Sequence, residues 1–225
     1  GVMTLGGTTL FTSYVLPPLL SAFSERCPGV ELRLNEAHTA RLKGELQEGT
    51  LDFVIDNCAF DPTVYESQLL KREQVILAVP CNLPLSPQAA PFRLSAAQLT
   101  IKDAPRVPLP LFADVPFLLL KEGNDTRARA EQLCAQAGFT PHIRLQLDQQ
   151  LAAYNLASYG LGAAFISDTL ALSAPPDERL VYYRIDSPDV ERSIRLFYKR
   201  TRVLTAPMRA LLDMLDRSKG RPKDD

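Results

Sequence analysis

The segment from Arg33 to Asn57, RLNEAHTARLKGELQEGTLDFVIDN, constrains the fold more than any other part of the chain. Val30, Leu32 and Leu34 alternate with Glu31 and Arg33, the period of a strand with one buried face. Thr39 then offers an N-cap hydroxyl, and Leu42 and Leu46 stack four apart on one helical face. Gly49 predicts a left-handed stop. Leu51, Phe53, Val54 and Ile55 form a short apolar run suited to a parallel strand covered on both faces. The unit is a strand, a helix and a strand with a right-handed crossover. It ends at Asp56-Asn57, the carboxyl end of its second strand, where open parallel sheets gather ligands.

The rest of the chain repeats this alternation. Met3 to Leu5 closes a short strand that runs into Gly6-Gly7-Thr8-Thr9, a strand-to-helix turn that can present backbone N–H groups to an anion. A tight turn with an ordinary cap explains the same residues. Leu16, Leu19, Leu20 and Phe23 stripe the next helix, with Pro17-Pro18 expected in its first turn and an end near Cys27-Pro28-Gly29. Val75 to Val79 reads as a buried strand. The proline-rich stretch from Pro80 to Pro116 reads as an ordered irregular connection with a short capped helix near Ser95.

Phe117 to Leu120 is an apolar strand stopping at Gly123-Asn124-Asp125-Thr126, a second turn into a helix. Ala130, Leu133, Cys134 and Ala137 line that helix and Gly138 closes it. Ile143, Leu145 and Leu147 predict a strand, and Asp148 is the expected cap of a helix through Tyr154 and Asn155. Gly160-Leu161-Gly162 leads into a strand whose small residues let another backbone or a ligand approach. Val181 to Ile185 and Ile194 to Tyr198 are two further strands. Met208, Leu211, Leu212 and Leu215 stripe a last helix, and the polar tail from Arg217 to Asp225 is expected to fray. Strands alternating with helices throughout predict an α/β protein with mainly parallel sheets. The two Gly/Thr turns fall in different halves, which suggests two α/β subdomains with a cleft between them.

Charge excludes some functions. The 25 basic and 26 acidic residues leave a net charge of −1, without the basic face that nucleic-acid binders usually show. No apolar run approaches the roughly 18 residues of a membrane span. The opening GVMTLGGTTLF has neither a basic nor an apolar leader region, so no signal peptide is expected. Cys27, Cys58, Cys81 and Cys134 show no ligand spacing and read as reduced cytoplasmic thiols, mostly packing residues. His38 and His142 are isolated, so no metal is expected, and nothing points to a cofactor.

YVLPPLLSAFSERCPGVELRLNE, LKGELQEGTLDFVI, VILAVP and LASYGLGAAFIS, in that order, resemble the effector-binding domain of LysR-type transcriptional regulators from Gly1 to about Arg217. The resemblance implies a type II periplasmic-binding-protein fold, with subdomain I from residues 1–74 and 191–225 and subdomain II from 75–190. It also implies a cytoplasmic bacterial regulator and a homodimer or tetramer built through this domain. DNA would be contacted only by a winged helix-turn-helix domain N-terminal to Gly1. The effector pocket it implies is lined by Thr8, Thr9, His38, Thr39, Asp56 and Asn57 from subdomain I. Gly123, Asn124, Asp125, Thr126, Gly160 and Leu161 line it from subdomain II. One departure is Ser167, where the family has a proline.

The expected effector is small and polar and carries a carboxylate that faces two helix N-termini. Arg127 is the nearest cation to such a group, although an arginine one place into a helix more often pairs with a neighbour such as Glu131. Two alternatives share the fold: an exported solute-binding protein, and a prephenate-dehydratase-like enzyme whose Thr-Arg pair is matched only by Thr126-Arg127. No Gly-x-Ser-x-Gly elbow is present, and the reading is of a protein that is not an enzyme.

Overall fold

The computed structural model describes residues 1–219. Taken in chain order, β1 (Val2–Gly7), α1 (Leu16–Arg26), β2 (Glu31–Glu36), α2 (Thr39–Glu48) and β3 (Phe53–Asp56) precede the long strand β4 (Tyr65–Pro80). Next come β5 (Arg106–Val107), β6 (Pro116–Leu120), α3 (Asp125–Gln136), β7 (His142–Leu147) and α4 (Gln150–Ser158). They are followed by β8 (Ala163–Ser167), α5 (Asp168–Ser173), β9 (Leu180–Ile185), β10 (Glu191–Lys199) and α6 (Ala206–Lys219). Two compact units result, one from residues 1–72 with 193–225 and the other from residues 73–192. The chain passes between them twice, along β4 and along β10.

In the first unit β1 pairs in parallel with both β2 and β3, and β10 adds to β3 in the antiparallel sense. Leu42, Leu46, Leu51 and Val54 pack together under α2, and Met208, Leu211 and Leu215 are the buried stripe of α6. Gly49 ends α2 at φ 84°, donating its N–H to Glu45 and Leu46 carbonyls, a left-handed cap where a Cβ would strain.

In the second unit β6 pairs in parallel with β7 and β8, while β4 runs antiparallel to β8 and β9. Its core is built from Val75, Leu77, Val79, Phe112, Phe117, Phe165 and Tyr183. The expected short capped helix near Ser95 is a 3-10 turn over Ala97–Thr100, with Ser95 and Gln98 exchanging side-chain and backbone hydrogen bonds at 2.8 and 3.3 Å. Among the described residues, no helix is long and apolar enough to cross a membrane.

Pro17-Pro18 fall in the first turn of α1, as expected. Ahead of α1 the chain is already helical at Thr9 and Leu10, then widens into a π turn over Phe11–Val15 in which the Leu16 N–H reaches the Phe11 carbonyl. The wider turn makes room for prolines that lack an N–H and would clash in a regular α-helix. The strand β2 does not bury one face, because it is an edge strand with Leu34 exposed and only Leu32 half-buried. Asp148 does not cap α4; Gln149 holds that position, and Asp148 pairs with Lys121 at 3.0 Å. Of the four thiols, all free, only Cys134 is buried, and burial pushes it up to about 12, while Cys81 is exposed. The tail expected to fray is helical through Lys219, and residues 220–225 lie outside the described residues.

Gly162 has a packing role. A Cβ there would meet the Pro116 carbonyl oxygen at 2.6 Å, at the point where β8 enters the sheet beside β6. Neither backbone can retreat without losing strand pairing. Gly162→Ala should therefore destabilise the second unit by about 1–3 kcal/mol, the usual cost of overpacking, as measured by urea unfolding.

Candidate ligand-binding site

The parallel register of the first unit aligns three chain turns. Gly7 lies opposite Glu36 of β2 and Ile55 of β3, so Thr8, Ala37 and Asp56 follow side by side at the carboxyl ends of the strands. The Ala37 N–H donates to the Gly7 carbonyl at 3.3 Å and closes that edge. Thr8 and Thr9 are half-buried. The Thr8 carbonyl accepts from Phe11 and Thr12 N–H groups at 3.0 and 3.1 Å, whereas the Thr8 and Thr9 hydroxyls make no hydrogen bond within the described residues. Beside them, Thr12 donates to exposed Glu36.

Thr39 is the first residue of α2 and not its cap. His38 holds the cap position in extended conformation, exposed, and no side chain among the described residues accepts from the first turn. The Thr39 hydroxyl turns instead to the Asp56 carboxylate, donating to Oδ2 at 2.8 Å. Asp56 is fully buried, and its Oδ1 accepts from the Asn57 and Cys58 N–H groups at 2.7 and 3.0 Å. Loss of water around the buried carboxyl raises its affinity for a proton, outweighing the opposing effect of these three donors and of Lys43. The outcome is an α2 N-terminus without a side-chain cap, with its positive dipole end open, next to two unpaired hydroxyls.

The second unit is built differently. Leu120 ends β6 opposite Leu147, and α3 starts just beyond. Gly123 precedes Asn124, which caps α3 by accepting from the Thr126 N–H at 2.8 Å. Asp125 is half-buried and accepts from Arg129 at 3.2 Å and Arg192 at 3.0 Å. Thr126 is buried, and its hydroxyl accepts from Arg192 at 2.9 Å. Arg127 follows its ordinary role, buried and spent on Glu131 at 2.6 Å, the Leu120 carbonyl at 2.8 Å and Gln146 at 3.0 Å.

Gly160 and Leu161 do not join this group. Ala163 pairs with Phe117, so the glycine turn lies at the Pro116 end of β6. Four residues of strand, roughly 13 Å, separate that end from the start of α3.

The sequence did not single out Glu73, Gln150 and Arg192, and it marked Ser167 only as a departure from the family's proline. Arg192 is buried and its Nε donates to Glu73 Oε1 at 2.5 Å; Ser167 donates to the other Glu73 oxygen and Gln150 accepts from the Ser167 N–H at 2.9 Å. Burial alone would lower the hold of Arg192 on its proton, but Glu73 and Asp125 more than reverse this and keep it charged. Its Nη2 has no hydrogen-bond partner among the described residues. The sequence marks neither charge out: Glu73 directly follows Lys71 and Arg72 within β4, and Arg192 shares β10 with Glu191, Arg195 and Lys199.

Among the described residues no cluster of three or more metal-ligating side chains occurs. A cavity of about 440 Å³ lies between α1 and α6, lined by Leu19, Ala22, Arg26, Met214, Leu215, Arg217 and Ser218, and includes none of the candidate residues.

Comparison with known proteins places residues 1–219 in one family model, described as the LysR substrate binding domain. An uncharacterized HTH-type transcriptional regulator of Bacillus subtilis, YcgK, is 28% identical over 207 residues, covering 91% of this chain and 63% of the relative. The chain thus spans less than two-thirds of the length of the curated relatives it matches first. Among solved structures, the Synechocystis PCC6803 CcmR regulatory domain in complex with 2-PG superposes with a TM-score of 0.81 at 18% identity, covering 98% of both chains. The effector binding domain of QuiR in complex with shikimate gives 0.77 at 17% identity, covering 97% of this chain and 96% of that one. At these identities the solved structures establish the fold, a type II periplasmic-binding-protein architecture.

Asp56 supplies a pH test. A carboxyl whose folded-state pKa is raised contributes stability below its ordinary value and loses that contribution as pH rises through the raised value. Relative to Asp56→Asn, which does not titrate, the native chain should therefore gain stability as pH is lowered from 7 through that window. Urea unfolding of both chains across the range measures the difference, and an unchanged or opposite trend would show that the three donors outweigh burial.

Proposed function

Because the chain belongs to the family of LysR substrate binding domains, we propose that it is the ligand-sensing part of a bacterial transcriptional regulator. The protein is cytoplasmic, is not an enzyme, assembles as a homo-oligomer, and contacts DNA through a separate helix-turn-helix domain. The regulator name carried by the relative supports this reading, as does the share of that relative's length beyond the matched region.

The ligand is small and polar, bearing a carboxylate or comparable anionic group. The observation that carries this is the pair of unpartnered Thr8 and Thr9 hydroxyls beside the uncapped N-terminus of α2. Unspent donors next to a positive helix end suit an oxygen-rich anion. Asp56 holds Thr39 and Asn57 in place. Ligand that binds one conformation of the chain more tightly than another shifts the population and so the geometry offered to the DNA-binding domains.

The test is a thermal-shift and calorimetric panel of small carboxylates and phosphates that includes 2-PG and shikimate. Thr8→Ala and Thr9→Ala should lower affinity for whichever member binds by about tenfold, the worth of one lost charge-assisted hydrogen bond, while stability stays within about 0.5 kcal/mol. Thr39→Ala should differ from both, destabilising the fold by about 1 kcal/mol or more, because it strips a donor from buried Asp56. Equal affinity across the native chain and the Thr8 and Thr9 variants would overturn the site.

A further inference from the structure

Glu73 and Arg192 are the first and last residues of the second unit, the points at which the chain enters and leaves it. They form one buried ion pair at 2.5 Å, with side chains 0% and 1% exposed. From this pair the hydrogen bonds run outward to the starts of all three helices of the unit. Arg192 Nη1 donates to Asp125 and Thr126 at the start of α3. Glu73 accepts from Ser167, which caps α5 through the Thr169 N–H at 3.0 Å and donates its own N–H to Gln150, the first residue of α4.

A pair selected for stability alone would be weakly justified. Buried ion pairs seldom outperform apolar residues of the same volume, and this one leaves the Arg192 Nη2 unsatisfied among the described residues. What the geometry does provide is a single rigid fork that grips a helix start with one nitrogen and a chain crossing with another.

We propose that Arg192 and Glu73 are positioning residues that couple the helix starts of the second unit, α3 above all, to both chain crossings. A change at Asn124–Thr126 is then felt at residues 72–74 and 191–194 without passing through the apolar core. The inference deepens the ligand-sensing reading and rests on it for its purpose, but not for its test, which uses no small molecule.

Hydrogen exchange of the whole chain, resolved by segment, provides that test. Thr126→Val removes one acceptor of Arg192 at the helix start. It should speed exchange about tenfold at the two crossings as well as in the first turn of α3, leaving β6 and β8 unchanged. In an Arg192→Met background Thr126→Val should add nothing further at the crossings, and Arg192→Lys, with no fork, should not restore the coupling. Should Arg192→Met fail to fold, Ser167→Ala probes the route from the Glu73 side and should speed the crossings by a similar factor. Exchange that rises only in the first turn of α3, or that rises equally through β6 and β8, would overturn the proposal. A negative ligand panel with coupled exchange would discard the ligand reading alone, and a binding ligand with uncoupled crossings would discard the coupling alone.

Discussion

The parallel register of β1 with β2 on one side and β3 on the other is the constraint on which the first unit depends. Parallel neighbours cannot be joined by a hairpin, so each connection must climb back over the sheet as a helix. Every such helix starts at the carboxyl ends of the strands. Three turns, after Gly7, Glu36 and Asp56, are thereby brought to one edge, together with the unspent donors of a helix start. The same logic in the second unit aligns the ends of β6 and β8 with the starts of α3 and α5. Ligand-binding capacity in this architecture follows from strand pairing before any particular side chain is considered.

The two helix starts resolve their exposed N–H groups in opposite ways. The start of α3 is closed by its own residues: Asn124 accepts from the Thr126 N–H, and Arg192 engages Asp125 and Thr126. The start of α2 has the residue type that would close it, yet the Thr39 hydroxyl is turned toward Asp56. A capping bond is worth about 1 kcal/mol to a helix. Burying Asp56 with one donor fewer costs at least as much, because a charged acceptor loses more than a neutral one when left unpaired. Thr39 goes where the larger penalty lies, and the helix end stays open.

Much of this was readable from residue order. The apolar runs Phe53–Ile55, Val75–Val79 and Phe117–Leu120 are strands, and the Leu42/Leu46 and Ala130/Leu133/Cys134 stripes are buried helix faces. Periodicity reports burial, and burial is local to an element. It failed where exposure depends on what lies alongside: Leu34 and Leu145 alternate correctly but sit on edge strands that nothing covers. Caps failed for a related reason, since Thr39 and Asp148 are good capping residues that found partners distant in sequence, Asp56 and Lys121. Gly160 and Leu161 share the glycine and small-residue character of a ligand turn, and only the pairing of Ala163 with Phe117 shows which end of the sheet they occupy.

The buried charges were the least legible feature because their meaning is entirely relational. Glu73 and Arg192 are separated by 119 residues and neither lies in a recognisable pattern. Each alone would be expensive to bury, by several kcal/mol after relaxation, so each implies the other only once the fold brings them together. Their site is where unlike demands coincide. Two chain crossings need fixed directions, and three helix starts leave N–H groups that need acceptors. An apolar pair of equal volume could fill the space, but it could not fix direction or accept from Ser167. Polar bonds have preferred angles and dispersion does not. Buried charge at this position is therefore best understood as orientation held against its own desolvation cost.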